Sequence, residues 1–156
     1  MQRTPEIEAY WTDFRKAAGL DHDRYVVVTM GDSPELAGEL TDLILAGRKR
    51  ATASLACDYE GEEPLPKVGD HVVVIDGTGA PRCIWRTTEV TIKPLVEVDD
   101  AFAWDEGEGD RSRAVGLDAH QRFVARQGAR AGFTMHDRMP TVFERFVLVW
   151  PQEAAD

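Results

Sequence analysis

The stretch Ser33-Pro34-Glu35-Leu36-Ala37-Gly38-Glu39-Leu40-Thr41-Asp42-Leu43-Ile44-Leu45-Ala46-Gly47-Arg48-Lys49-Arg50-Ala51-Thr52-Ala53-Ser54-Leu55 runs from a helix start through a stop and three cations into a strand. Ser33 is an N-cap residue, and Pro34 suits the first helical position, where no backbone N–H is needed. Leu36, Leu40, Leu43 and Ile44 share one stripe, and Gly47 supplies the left-handed residue on which helices end. Ala51–Leu55 then reads as a strand, so Arg48, Lys49 and Arg50 sit at a rigid turn. Cations there also complement the helix macrodipole, which gives them a structural as well as a functional reading. Residues 49 and 52 of a regular strand point to opposite faces, so Lys49 and Thr52 share a pocket only if the turn persists through Arg50.

Upstream, Thr4-Pro5-Glu6 caps a helix carrying Ile7, Tyr10, Trp11, Phe14 and Ala18 at intervals of three to four residues, and Gly19 stops it. Tyr25–Met30 is short, β-branched and bounded by Gly31, which predicts a strand. Downstream, a polar loop from Asp58 to Lys67 leads to a strand over His71–Ile75, and Asp76-Gly77-Thr78-Gly79 turns the chain into a long strand from Arg82 to Ile92. One helical turn is expected around Ala101–Trp104, a helix over 113–127, and a strand apolar on both faces over Val142–Trp150. Short strands interleaved with a few helices, without regular βαβ units, predict an α+β fold with a curved mixed sheet.

The chain of 156 residues is about one domain long, with 43% apolar and 29% charged residues. Its formal charge of −10 argues against a protein that grips duplex DNA over a broad basic face. No run approaches the roughly 20 apolar residues that span a bilayer, and the start lacks the apolar core of a secretory signal, so no membrane contact and a cytoplasmic location are expected. Cys57 and Cys83 form no C-x-x-C pair, and His22, His71, His120 and His136 show no H-E-x-x-H spacing. No metal and no cofactor are expected.

Two further segments bear on chemistry. In the long strand, Cys83, Trp85, Thr87 and Glu89 share one face, so Glu89 sits beside Trp85, where it lines a pocket with a stacking surface or joins a cross-strand salt bridge. Glu106-Gly107-Glu108-Gly109-Asp110-Arg111-Ser112 has the glycines of a phosphate cradle, but its acids would repel an anion. It reads either as a cleft-lining loop, with Arg111 and Ser112 touching ligand, or as a capped turn.

The stretch Ala46-Gly47-Arg48-Lys49-x-x-Thr52 resembles the G-x-K-x-x-T signature of the ASCH domain family, a branch of the PUA-like folds. Pro64-Leu65-Pro66-Lys67-Val68-Gly69-Asp70, Thr88-Glu89-Val90, the Glu106 to Ser112 segment and Glu144-Arg145-Phe146 are similar to a bacterial stand-alone ASCH branch. The resemblance implies a small mixed β-barrel flanked by helices over residues 25–150, with a helical extension over 1–24 and a tail over 151–156. Some small bacterial members remove the acetyl group from N4-acetylcytidine, which implies a metal-independent amidohydrolase with Lys49, Thr52 and Glu89 as its catalytic residues. Arg48, Arg50, Trp85, Arg111 and Ser112 are the residues expected to bind the modified nucleoside. The alternatives are a non-catalytic module that holds single-stranded RNA or a nucleotide in the same cleft, and a ribonuclease.

A threonine hydroxyl needs a base before it attacks an amide, and a neutral lysine is one candidate. An ordinary lysine is protonated at pH 7, so that role requires burial or like charges such as Arg48 and Arg50. In the other assignment Lys49 stays charged and stabilises the oxyanion, while Glu89 handles the leaving amine or a water.

Overall fold

The computed structural model describes residues 3–61 and 63–156; Met1 and Gln2 of the expected extension and Glu62 of the polar loop lie outside the described residues. The elements are α1 (Pro5–Ala18), β1 (Val26–Thr29), α2 (Pro34–Leu45), β2 (Ala51–Leu55), β3 (His71–Ile75), β4 (Pro81–Pro94), α3 (Asp100–Glu106), α4 (Arg113–Ala131) and β5 (Pro140–Trp150). Caps fix the helix starts: Thr4, Ser33, Asp99 and Ser112 each accept a backbone N–H of the first turn.

The five strands form one curled sheet in the order β1-β3-β4-β5-β2. β1 runs parallel to β3, and every other pair is antiparallel. The fold is therefore α+β around a curled half-barrel. β4 and β5 form its spine, and their ladder shifts register between Ile84 and Trp85 and again between Thr87 and Glu89. Such bulges bend a strand and increase its twist.

Both faces of the sheet are covered. Val73 points to the side where α1 packs Ile7, Trp11 and Phe14 against Tyr25, Val27 and Ile84. Val72 and Val74 point to the other side, with Leu40 and Ile44 of α2, Trp85, Phe146 and Leu148. A strand buried on both faces loses its polar alternation, which accounts for the unbroken valines of β3. A third cluster joins Ala51, Leu55 and Phe143 to Phe102 of α3 and Val124 of α4. Among the described residues no helix is long and apolar enough to cross a membrane.

Candidate functional site

Helix α2 ends in a tight turn. Gly47 takes φ +81°, and the N–H groups of Arg48 and Lys49 both donate to the Leu43 carbonyl, at 3.0 and 3.1 Å. Arg50 N–H donates to the Asp105 carbonyl, and the strand begins only at Ala51. The turn thus persists through Arg50, which is the condition for Lys49 and Thr52 to share a hollow. Both line one cavity of about 600 Å³, within the range of roughly 300–1,000 Å³ usual for small-molecule sites. Its walls are largely apolar, with Val28, Met30, Leu36 and Phe123, and Trp85 contributes its indole. Trp85 is itself stacked on Phe146, ring centroids 4.0 Å apart.

Lys49 is 1% exposed, and its ammonium donates to Glu108 Oε2 at 2.8 Å and to the Glu106 carbonyl at 3.4 Å. A buried ammonium without an anion would be strongly disfavoured, and Glu108 supplies that anion. Burial alone would raise the Glu108 carboxyl, but the charge and hydrogen bond of Lys49 outweigh it and hold the group below its ordinary value. Glu108 reaches the cavity because the chain on either side is pinned. Arg48 donates from Nε to the Gly107 carbonyl and from Nη2 to the Gly109 carbonyl, each at 2.7 Å. Gly107 has φ +70°, and a Cβ there would collide with the Arg48 carbonyl oxygen, so no other residue fits this approach.

Behind this pair, His120 Nε2 meets Glu106 Oε2 at 2.6 Å. Burial lowers the imidazole's pKa, but the charge and hydrogen bond of Glu106 prevail and raise it. Glu106 is 2% exposed, and its Oε1 makes no hydrogen bond among the described residues. One ligand atom from each of Glu106, Glu108 and His120 lies within 4.8 Å of the others, a spacing open to a cation; the Lys49 ammonium supplies positive charge at Glu108 itself.

A second carboxylate stands on the cavity wall. Glu144 is 5% exposed; its Oε2 accepts from Thr87 Oγ1 at 2.6 Å and from Trp85 Nε1 at 3.2 Å. Burial raises its pKa, against the opposing pull of those two hydrogen bonds.

The other expected site residues have different surroundings. The bulge at Thr88 reverses the parity of β4, so Thr87 stays on the face of Trp85 while Glu89 turns away. Glu89 is therefore absent from the cavity wall and instead accepts from Arg145 Nη1 at 2.6 Å on an exposed surface. Arg50 donates to the Ile44 carbonyl and to the Asp156 carboxylate. Arg111, at φ +66°, lies over the Trp104 ring and donates to the Trp104 and Arg48 carbonyls. Ser112 caps α4. Arg48, Arg50, Arg111 and Ser112 therefore brace the turn and loop around the cavity without lining it, whereas Trp85 lines it. Sequence reasoning missed Glu108 and Glu144 as cavity carboxylates. The available signal was Glu144 itself, an acid inside a strand apolar on both faces.

The chain is thus a curled α+β half-barrel domain whose helix-to-strand turn buries a lysine beside a cavity. A model of the ASCH domain matches residues 26–150, and the chain belongs to the ASCH domain family. Solved structures are similar to it. The ASCH domain from Lactobacillus crispatus JV V101 is 32% identical, with 92% of this chain and 91% of that one covered and a TM-score of 0.80. Protein EF3133 from Enterococcus faecalis V583 is also 32% identical, with 95% and 91% covered and a TM-score of 0.83. No curated protein sequence matches the chain.

Proposed function

We propose that the protein is a metal-independent amidohydrolase that removes an acyl group from the exocyclic nitrogen of a modified nucleoside such as N4-acetylcytidine. The observation that carries this reading is the Lys49–Glu108 ion pair, 2.8 Å long, on the wall of the cavity that Thr52 also lines. Paired in this way, Lys49 is a charged donor suited to the oxyanion that forms when an amide carbonyl is attacked. Thr52 supplies the attacking hydroxyl, and Trp85 offers an aromatic wall for a planar base. Glu108, in place of the Glu89 expected from the resemblance, is the carboxylate that holds the lysine.

The reading as a pure RNA-binding module draws less support. Arg48 and Arg111, which would face phosphates, are engaged with backbone carbonyls of the chain itself. The deciding experiment incubates the purified chain with N4-acetylcytidine in chelator. Release of cytidine, lost in Thr52→Val with the fold retained by circular dichroism, is the expected result. An inert chain that binds or cleaves labelled single-stranded RNA would replace this reading with one of its alternatives.

A further inference from the structure

The mechanism just described lacks a group to take the Thr52 proton. Lys49 is committed to Glu108, and Glu89 is outside the cavity. β2 and β5 pair so that Thr52 and Glu144 are direct Cα partners in an antiparallel ladder. Directly opposed residues carry their side chains on the same face, with Cβ atoms about 4.5–5.5 Å apart. Both line the cavity. The Thr87 and Trp85 hydrogen bonds both fall on Glu144 Oε2, and no bond to its Oε1 is found among the described residues. The carboxylate is thus anchored by one oxygen and has the other available.

From this geometry we infer that Glu144 is the general base and acid of the reaction, a further catalytic residue beyond Lys49 and Thr52. This assignment rests on the amidohydrolase reading. Glu144 Oε1 takes the proton of Thr52 Oγ1 as that oxygen bonds to the acyl carbon, and the carbonyl π pair moves onto oxygen beside Lys49. Collapse of the tetrahedral adduct breaks the C–N bond, and Glu144 returns the proton to the departing amine nitrogen. Water then attacks the Thr52 ester with Glu144 accepting its proton; the ester C–O bond breaks, Glu144 returns the proton to Thr52 Oγ1, and the carboxylic acid leaves. Asp70 before β3 and Tyr59 after β2 act electrostatically with Glu144, and the other charged or titratable groups that line the cavity are Lys49 and Glu108 from the turn and loop, Asp58 after β2, and Asp118, His120, Arg122 and Arg126 from α4. Burial of Glu144 favours its protonated form, which moves its titration toward the neutral range where an acid–base catalyst works best.

The test compares wild type with Glu144→Gln, whose amide oxygen can still accept from Thr87 and Trp85. For N4-acetylcytidine, kcat is expected to fall at least about 100-fold with KM within about threefold, the size usual for losing a general acid–base. The loss should shrink at least about tenfold on a p-nitrophenyl ester, whose leaving group needs no proton. In the wild type, the acid limb of the kcat profile should coincide with the pH midpoint of the Trp85 indole N–H resonance, and both should vanish in Glu144→Gln. If that variant fails to fold, Thr87→Val serves: losing a hydrogen bond to the carboxylate should move the limb to higher pH, and an unmoved limb overturns the assignment. Turnover in Glu144→Gln within threefold of wild type, or an equal loss on both substrates, also overturns it. A wild type inert on acylated nucleosides overturns the amidohydrolase reading and this assignment together.

Discussion

The Lys49 ammonium and the Glu108 carboxylate meet at 2.8 Å although 59 residues separate them, and the lysine is almost wholly shielded from solvent. Either partner alone would leave an uncompensated charge in a largely apolar hollow. The pair is therefore a condition of local folding. Lys49→Met should destabilise the protein by about 3 kcal/mol, the scale for breaking a buried pair. Lys49→Met combined with Glu108→Gln should cost at least about 1 kcal/mol less than the sum of the single changes. Urea unfolding of the four proteins checks this, and strict additivity would mean the two groups do not interact in solution.

Gly107 controls whether that meeting happens. Its backbone passes so close to the Arg48 carbonyl that a methyl group has no room, and its φ of +70° disfavours any side chain. Gly107→Ala is expected to cost about 2 kcal/mol and to weaken ligand binding by displacing Glu108. Gly19, at φ +69° with nothing within 4 Å of a built Cβ, is the control. There alanine should cost about 1 kcal/mol from backbone strain and leave binding unchanged. Thermal unfolding and ligand titration of both variants make the comparison.

The His120–Glu106 contact gives stability a pH dependence of known sign. The folded-state pKa of His120 lies above 6.5, so the protonated imidazole favours the folded state. That contribution is complete below about pH 6.5 and is lost as pH rises through the folded value. Glu108 behaves oppositely: its pKa is lowered, so its contribution is present above about pH 4.5 and lost as pH falls through the folded value. His120→Gln should therefore flatten the decline of stability above pH 6.5 and alter the acid side less, because Lys49 does more than the His120 charge to hold Glu108 low. Unfolding free energies measured from pH 4 to 9 test both limbs.

Glu89 offers a contrast with the cavity carboxylates. Its partner Arg145 also reaches Asp105 at 3.1 Å, and the Glu89 side chain is half exposed. Glu89→Ala should cost less than about 1 kcal/mol, as solvent-screened pairs do. Turnover of an acylated nucleoside should stay within twofold of wild type. A loss matching that of Glu144→Gln would put the working carboxylate on the outer face of β4.

Local signals accounted for much of the architecture. Thr4, Pro5 and Gly19 bound α1, Ser33, Pro34 and Gly47 bound α2, and the run Ala51–Leu55 is β2 as observed. Such features act within a turn or two of chain, so a linear reading recovers them. Boundaries were weaker where tertiary contacts extend an element. The single turn expected near Ala101–Trp104 is the seven-residue α3, capped by Asp99 and packed through Phe102 on Phe143. The helix expected over 113–127 runs on to Ala131.

The site divides along the same line. That a lysine and a threonine stand at the break after a capped helix is written in residues 33–55, because caps, periodicity and a left-handed glycine are local physics. Which acids join them is decided by the folded sheet. Strand parity holds only up to the first bulge, and the extra residue at Thr88 removes Glu89 from the cavity while the pairing of β2 with β5 sets Glu144 opposite Thr52. Glu108 arrives through a glycine loop that docks on Arg48, a contact between distant segments that no short-range pattern specifies.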